Sequence, residues 1–308
     1  MSEPPAPSDV AAADRYALLR KIAQAGLLIG ILVYLAYRLS DIGWGEVWAN
    51  LPTEPLFYGL FVLLYLSIPI GEVFIYGYLW PKPKLCWLPM FIKKRVYNKD
   101  VMGYSGEVYL FMALQDRVAE GKRAIARIVR DVNVLSVVAS TFIALVLLAL
   151  FLTQGRLSLS MLGLDRTGVL IGAVVVIAVG IGAWQFRRHL FSLSRRQSLV
   201  LLGIFCIRLV LAQAVQIAMW RVALPEVELS VWFTYAAIGL MLSRIPFLPN
   251  QDLIFLGIGV ELSGLLDLPE SGIAALLLTT SVLDKVLNAT LFGIFSFTEP
   301  KPPNENAS

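Results

Sequence analysis

Histidine and cysteine are almost absent from this chain of 308 residues, which holds one His, His189, and two Cys, Cys86 and Cys206. A single imidazole excludes HExxH chemistry and multi-histidine metal sites. The two cysteines sit in unrelated apolar stretches, so they form no zinc ribbon, CxxC redox pair or disulfide framework. No P-loop, GxSxG or GxGxxG is found, and neither a cofactor nor an ATP site is expected. Charge is also scarce, at 16% of residues against about 25% in soluble domains. What replaces it is apolar: 57% of residues are hydrophobic and the mean hydropathy is +0.72. The composition excludes a disordered or fibrous chain and is that of an integral membrane protein.

Apolar runs near the 20 residues needed to cross a bilayer give the expected architecture. It is an all-α polytopic helix bundle of about seven spans plus two re-entrant or half-span segments, forming one membrane domain over 15–298. Residues 1–14 are read as a disordered cytoplasmic tail and 299–308 as a polar C-terminal tail. The spans are expected at 22–37, 55–80, 132–152, 169–184, 198–220, 229–242 and 271–297, the last interrupted by Asp284 and Lys285. Residues 40–50 form a short amphipathic element whose Trp44 and Trp48, four apart, suit a membrane interface. LCWLPMFI (85–92) is too short to span. With the basic run Lys93, Lys94 and Arg95 after it, it reads as a re-entrant or interfacial piece within a polar 81–131 region. A second re-entrant segment is expected over 246–267.

Basic residues fix the expected orientation. Arg15, Arg20 and Lys21 place the N-terminus in the cytoplasm. The 81–130 stretch, with eleven Lys and Arg, and the 185–197 loop, with four Arg, return to that side after two and four crossings. The net charge of +4 is explained by this bias, and no aromatic-interleaved groove points to nucleic acid.

Two groups of charges are candidates for function. Arg123, Arg127 and Arg130 fall on one face of a helical segment, where three guanidiniums can pair with lipid phosphates or simply form a solvated, positive-inside face. Glu72, Arg208, Arg244, Asp252, Glu261, Asp284 and Lys285 lie within or beside apolar segments, where charge is costly and needs a partner or a wet cavity. Arg208 stands near the middle of its span. It meets either lipid phosphate and water or a structural carboxylate, Glu72 or Asp284. Arg244 can snorkel from its helix end. Asp284 and Lys285 point in different directions on a helix, so each requires a partner elsewhere. Glu107 either caps a helix or organises neighbouring cations.

The order of these segments resembles the flippase-like transmembrane domain of the lysyl-phosphatidylglycerol synthase family. SDIGWGEVWANL (40–51) is similar to a short interfacial element that follows the family's first span. YSGEVYLFMAL (104–114) is similar to its membrane-associated Gly-Glu hairpin, and ARIVRDVNVLSVV (126–138) to an Arg-Asp pair opening the next span. Glu107, Arg127, Arg130 and Asp131 are the matching positions. PFLPNQDLIFLG (246–257) stands where the family has a P-x-P-G-G re-entrant motif. Pro246 and Pro249 are kept, while Asn250 and Gln251, followed by Asp252, replace the glycines and Leu256 stands in place of a glutamate. Tyr109 or Leu110 occupies the place of an arginine, and the synthase's soluble domain is not in the chain.

The resemblance implies lipid translocation or lipid binding without synthase activity. The expectation is therefore a bacterial inner-membrane, multi-pass, non-enzymatic lipid translocase that moves or presents an anionic lipid. Head-group contacts would come from Glu107, Arg123, Arg127, Arg130, Asp131, Arg208, Arg244, Asp284 and Lys285. A membrane enzyme acting on lipid head groups, or a scaffold holding a partner protein, are the alternatives, and a homo-oligomer is compatible with all three.

Overall fold

Backbone in an apolar surrounding has no water to bond, so each segment must satisfy its own N–H and C=O groups, and the helix does this within one chain segment. The computed structural model describes residues 33–34, 36–37, 39–80, 85–101, 104–153, 192–243 and 251–298. Among these every regular element is helical and there is no strand. In chain order they are α1 (Trp44–Ala49), α2 (Pro55–Leu79), a 3-10 turn (Leu85–Trp87), α3 (Leu88–Val96), a π-helical turn (Tyr97–Val101), α4 (Ser105–Gln115), α5 (Lys122–Thr153), α6 (Arg195–Ala223), α7 (Leu229–Leu242), α8 (Gln251–Leu265) and α9 (Glu270–Thr298). The expected first span up to residue 32, the 169–184 span, and Arg244, Pro246, Pro249 and Asn250 lie outside the described residues.

Among the described residues, three helices are long and apolar enough to cross a membrane: Pro55–Leu79, Arg195–Ala223 and, within α9, Glu270–Phe297. Their surfaces are inverted relative to a soluble protein, with large apolar side chains such as Phe74, Ile207, Leu211 and Val286 turned outward. The chain is a membrane-embedded helical protein. α9 runs without a break through Asp284 and Lys285, so the expected interruption is one of hydropathy and not of backbone. α7 coincides with the expected 229–242 segment, but its 14 residues reach only about 21 Å. α5 begins ten residues before the expected 132, because Ile125, Val129 and Val132 extend its buried stripe backwards at helical spacing.

The chain divides into two compact units, one within Met1–Leu51 and Leu248–Ser281, the other within Pro52–Phe247 and Val282–Ser308. In the first, Leu39, Val47 and the inner face of α8 (Leu256, Val260, Leu262) are buried, as is the run Ile273–Leu277 of α9. Tyr34 donates to Glu261, and Asn50 to Ser271 at 3.4 Å. Trp44 and Trp48 are both exposed on α1, as an interfacial face requires.

In the second unit the 81–131 region supplies a helical hairpin, α3–π turn–α4, which contains the 85–92 piece expected to be re-entrant or interfacial. Trp87 and Phe91 dock it on the end of α2 against Trp80 and Tyr76, with Tyr76 and Phe91 rings stacked at 5.4 Å. The hairpin closes through Gly106: its N–H donates to Asn98 Oδ1 at 2.7 Å, and Ser105 Oγ donates to the Tyr97 carbonyl. A Cβ on Gly106 would lie 2.2 Å from the Lys94 carbonyl oxygen and 2.7 Å from Asn98, so only glycine lets the two arms approach this closely. Gly106→Ala is expected to destabilise the protein by about 1–3 kcal/mol through overpacking. Thermal unfolding in detergent checks this, and an unchanged midpoint would show that the hairpin arms separate freely.

Candidate functional site

The aromatic docking of α3 sets the register of the charges that follow it. Glu72 lies one turn before Tyr76 on α2, and Lys94 lies three residues after Phe91 on α3, so the Tyr76–Phe91 stack brings Glu72 and Lys94 together. Lys94 Nζ donates to Glu72 Oε2 at 2.9 Å and lies 3.7 Å from Glu107 Oε1. Asn98 Nδ2 donates to the same Glu107 oxygen at 3.2 Å.

Arg95, one residue further round the helix, faces the other way. Its guanidinium stacks 4.0 Å over the Tyr65 ring of α2 and reaches α9, donating to Asp284 Oδ1 and Asn288 Oδ1, both at 2.6 Å. Asp284, Asn288 and Phe292 are four residues apart and form one stripe of α9. Lys99 holds Asp284 Oδ2 at 2.9 Å. Asn288 accepts from the Tyr65 hydroxyl at 2.8 Å and donates to Asp100 at 2.6 Å, while Lys285 also pairs with Asp100. Phe292 meets the Tyr97 ring edge-on.

The prediction that Asp284 and Lys285 each need a separate partner holds, and both partners come from the α3–π-turn segment. The π turn is what places Lys99 and Asp100 here, an irregular turn of the kind often found at functional sites. The sequence reading counts Lys93, Lys94 and Arg95 within the basic stretch that fixes orientation, at the edge of a re-entrant or interfacial piece. The structure buries them, with Lys93 and Lys94 each 7% exposed. They follow directly on Trp87, Met90, Phe91 and Ile92, which are themselves buried.

Within this network Lys94, Arg95, Lys99 and Lys285 balance Glu72, Asp100, Glu107 and Asp284. Arg208 is additional. Its side chain crosses Gly71 of α2, where a Cβ would fall 2.2 Å from Arg208 Cδ, and its guanidinium lies 5.2 Å from the Phe205 ring. Glu72 acts on it electrostatically, but no carboxylate among the described residues lies within 4.0 Å of it.

The remaining expected residues are placed elsewhere. Arg123, Arg127 and Arg130 are exposed on the first turns of α5, with Arg127 Nε donating to the Arg123 carbonyl and Arg130 to Asp131 at 2.7 Å. Asp131 is 1% exposed, and its Oδ2 accepts from Ser192 N–H, Ser192 Oγ and Leu193 N–H. It thereby ties the residues leading into α6, whose Ser194 and Gln197 form a capping box, to the start of α5. Gln251 and Asp252 open α8 in the other unit. Sequence reasoning missed Lys94, Arg95, Asp100 and Asn288 as site residues. The available signal was the placement of Lys-Lys-Arg directly after an apolar run too short to span.

Removing one partner of a buried pair strands the other charge, which costs about 3–5 kcal/mol. Asp284→Asn is therefore expected to lower stability by that order, and Arg95→Gln added to it should cost much less than the two single changes summed. Unfolding in detergent of both single variants and the double variant measures the coupling, and additive losses would show that the pair is not desolvated. No protein-family model, curated protein or solved structure matches this chain.

Proposed function

We propose that this chain is a lipid translocase or lipid-binding transport protein of a bacterial inner membrane, moving or presenting an anionic lipid without an ATPase of its own. The observation that carries this reading is a buried ionic network on a broken helical hairpin, set between helices long and apolar enough to span a bilayer, with Arg208 in excess of its carboxylates. Buried charged groups within membrane proteins mark substrate pathways, and discontinuous helices are a frequent way of building them. A guanidinium without a carboxylate partner is suited to a phosphate, which it can hold bidentately. The exposed Arg123, Arg127 and Arg130 supply a first contact for the same head group at the membrane surface.

The resemblance to the flippase-like domain of the lysyl-phosphatidylglycerol synthases supports the same class through Gly106-Glu107 and Arg130-Asp131. In this reading the chain has about seven spans with its N-terminus in the cytoplasm, and it performs no catalysis. Of Glu107, Asp131 and Asp284, the acid–base candidates of a lipid-modifying enzyme, Asp131 is occupied by backbone N–H groups and Asp284 by cations, while Glu107 accepts from Asn98 and lies 3.7 Å from Lys94.

Purified protein in liposomes should move fluorescent anionic phospholipid between leaflets faster than empty liposomes do. Arg208→Ala should slow that movement by at least about tenfold, as expected for a hydrogen bond to a charged group worth about 1.5–3 kcal/mol. No movement above empty liposomes for any lipid tried would overturn the proposal.

A further inference from the structure

α5 and α6 meet at Asp131, and each brings a group of arginines to the junction. Arg130 donates to Asp131 Oδ1 through Nε at 3.0 Å and Nη2 at 2.7 Å. Oδ2 of the same carboxylate accepts from Ser192 Oγ at 2.6 Å and from Leu193 N–H at 3.2 Å. The Arg130 guanidinium therefore lies against the backbone that leads into Arg195 and Arg196, and the Ser194–Gln197 capping box fixes where α6 begins. Arg123, Arg127, Arg195 and Arg196 are exposed, and no carboxylate among the described residues lies within 4.0 Å of any of them. Arg127, Arg130, Arg195 and Arg196 thus stand within a turn of one buried carboxylate, with Arg123 one turn further out.

Beyond the junction the same faces turn apolar. On α5, Arg123, Arg127, Arg130, Val134, Val138 and Phe142 are three or four residues apart and all exposed, so one stripe passes from cationic to apolar within a single turn. On α6, Arg196 is followed along its face by Leu199, Gly203 and Ile207, also exposed. An anion held by these arginines sits where the apolar surface begins, which is the place of a lipid phosphate and not of a soluble polyanion. We infer that the α5–α6 junction binds an anionic lipid whose head group carries two phosphates, one held by Arg127 and Arg130 and the other by Arg195 and Arg196, with Asp131 as the positioning residue. Packed helices lie about 8–10 Å apart, a gap that two phosphates on a short linker bridge and one phosphate does not. Each pair of guanidiniums suits one phosphate in charge and in donor geometry. The inference names the head group for the lipid-handling reading, on which it rests for the presence of anionic lipid at this face.

The test is native mass spectrometry of the full chain, released from micelles that hold diphosphatidylglycerol and phosphatidylglycerol at equal phosphate content. The wild-type protein should retain the two-phosphate lipid over the one-phosphate lipid by at least about tenfold, the worth of one further hydrogen bond to a charged group. Arg127→Gln with Arg130→Gln, and separately Arg195→Gln with Arg196→Gln, should each erase that preference. Arg221→Gln, in the last turn of α6, should leave it unchanged. Asp131→Asn should weaken the preference although it raises the local positive charge, whereas an unstructured basic patch would bind more tightly. The variant at Arg195 and Arg196 leaves Asp131 and its partners intact, so the test stands even where changes at Arg130 or Asp131 fail to fold. Equal retention of the two lipids by the wild type, a preference that survives either double variant or is lost in Arg221→Gln, or one that Asp131→Asn strengthens would overturn the assignment. Selective retention without lipid movement in liposomes would sink the translocase reading alone, and lipid movement without selective retention would sink this assignment alone.

Discussion

Arg95 and Asp284 are taken out of water together, 2.6 Å apart, and the surrounding structure is arranged to keep them paired. Neither charge could be buried alone, since the desolvation of one ion costs several kcal/mol even after relaxation. Further partners surround both: Arg95 Nη1 donates to Asn288 and the guanidinium lies over the face of Tyr65, and Asp284 accepts from Lys99 and Asn288. Because Lys94 precedes Arg95 by one residue, about 100° round the helix, fixing Arg95 toward α9 turns Lys94 toward Glu72 and Glu107. One helical turn thus serves two separate carboxylate groups. A change of rotation in α3 would break both at once.

That rotation is held by apolar means. Trp80, Tyr76, Phe91 and Trp87 interlock at ring separations of 5.4–6.5 Å, and Gly106 lets α4 close against the Lys94 carbonyl. Pro69 lies between Tyr65 and Glu72 on the same buried face of α2 and cannot donate to the helix ladder there. The polar residues of the network accordingly depend on aromatic packing and on backbone irregularities at Pro69, the π turn and Gly106. Around them, the outward faces of α2, α6 and α9 stay apolar, which suits a hydrocarbon surrounding and would be unfavourable in water.

The helical class and the approximate extents of α2, α6, α8 and α9 were legible in the sequence, because length and hydropathy alone determine them. The need for separate partners at Asp284 and Lys285 was legible too, from helical geometry. The partners were not. Lys94, Arg95 and Asp100 are separated from Asp284 by about 190 residues of chain, and a Lys-Lys-Arg run looks the same whether it is solvated or buried. Asp131 shows the same limit in reverse. Beside Arg130 it reads as part of a charged pair, yet its second oxygen collects three hydrogen bonds from Ser192 and Leu193, which no local pattern announces.

We propose that Arg208, which has no carboxylate among the described residues within 4.0 Å, meets the phosphate of an anionic lipid within the membrane. Solid-state NMR on the protein in anionic bilayers, with labelled arginine nitrogens and lipid phosphorus observed together, measures this contact directly. The account predicts a phosphorus–guanidinium dipolar contact that disappears in Arg208→Lys while those of Arg123, Arg127 and Arg130 remain. Contacts confined to the surface arginines, unchanged by that substitution, would contradict it.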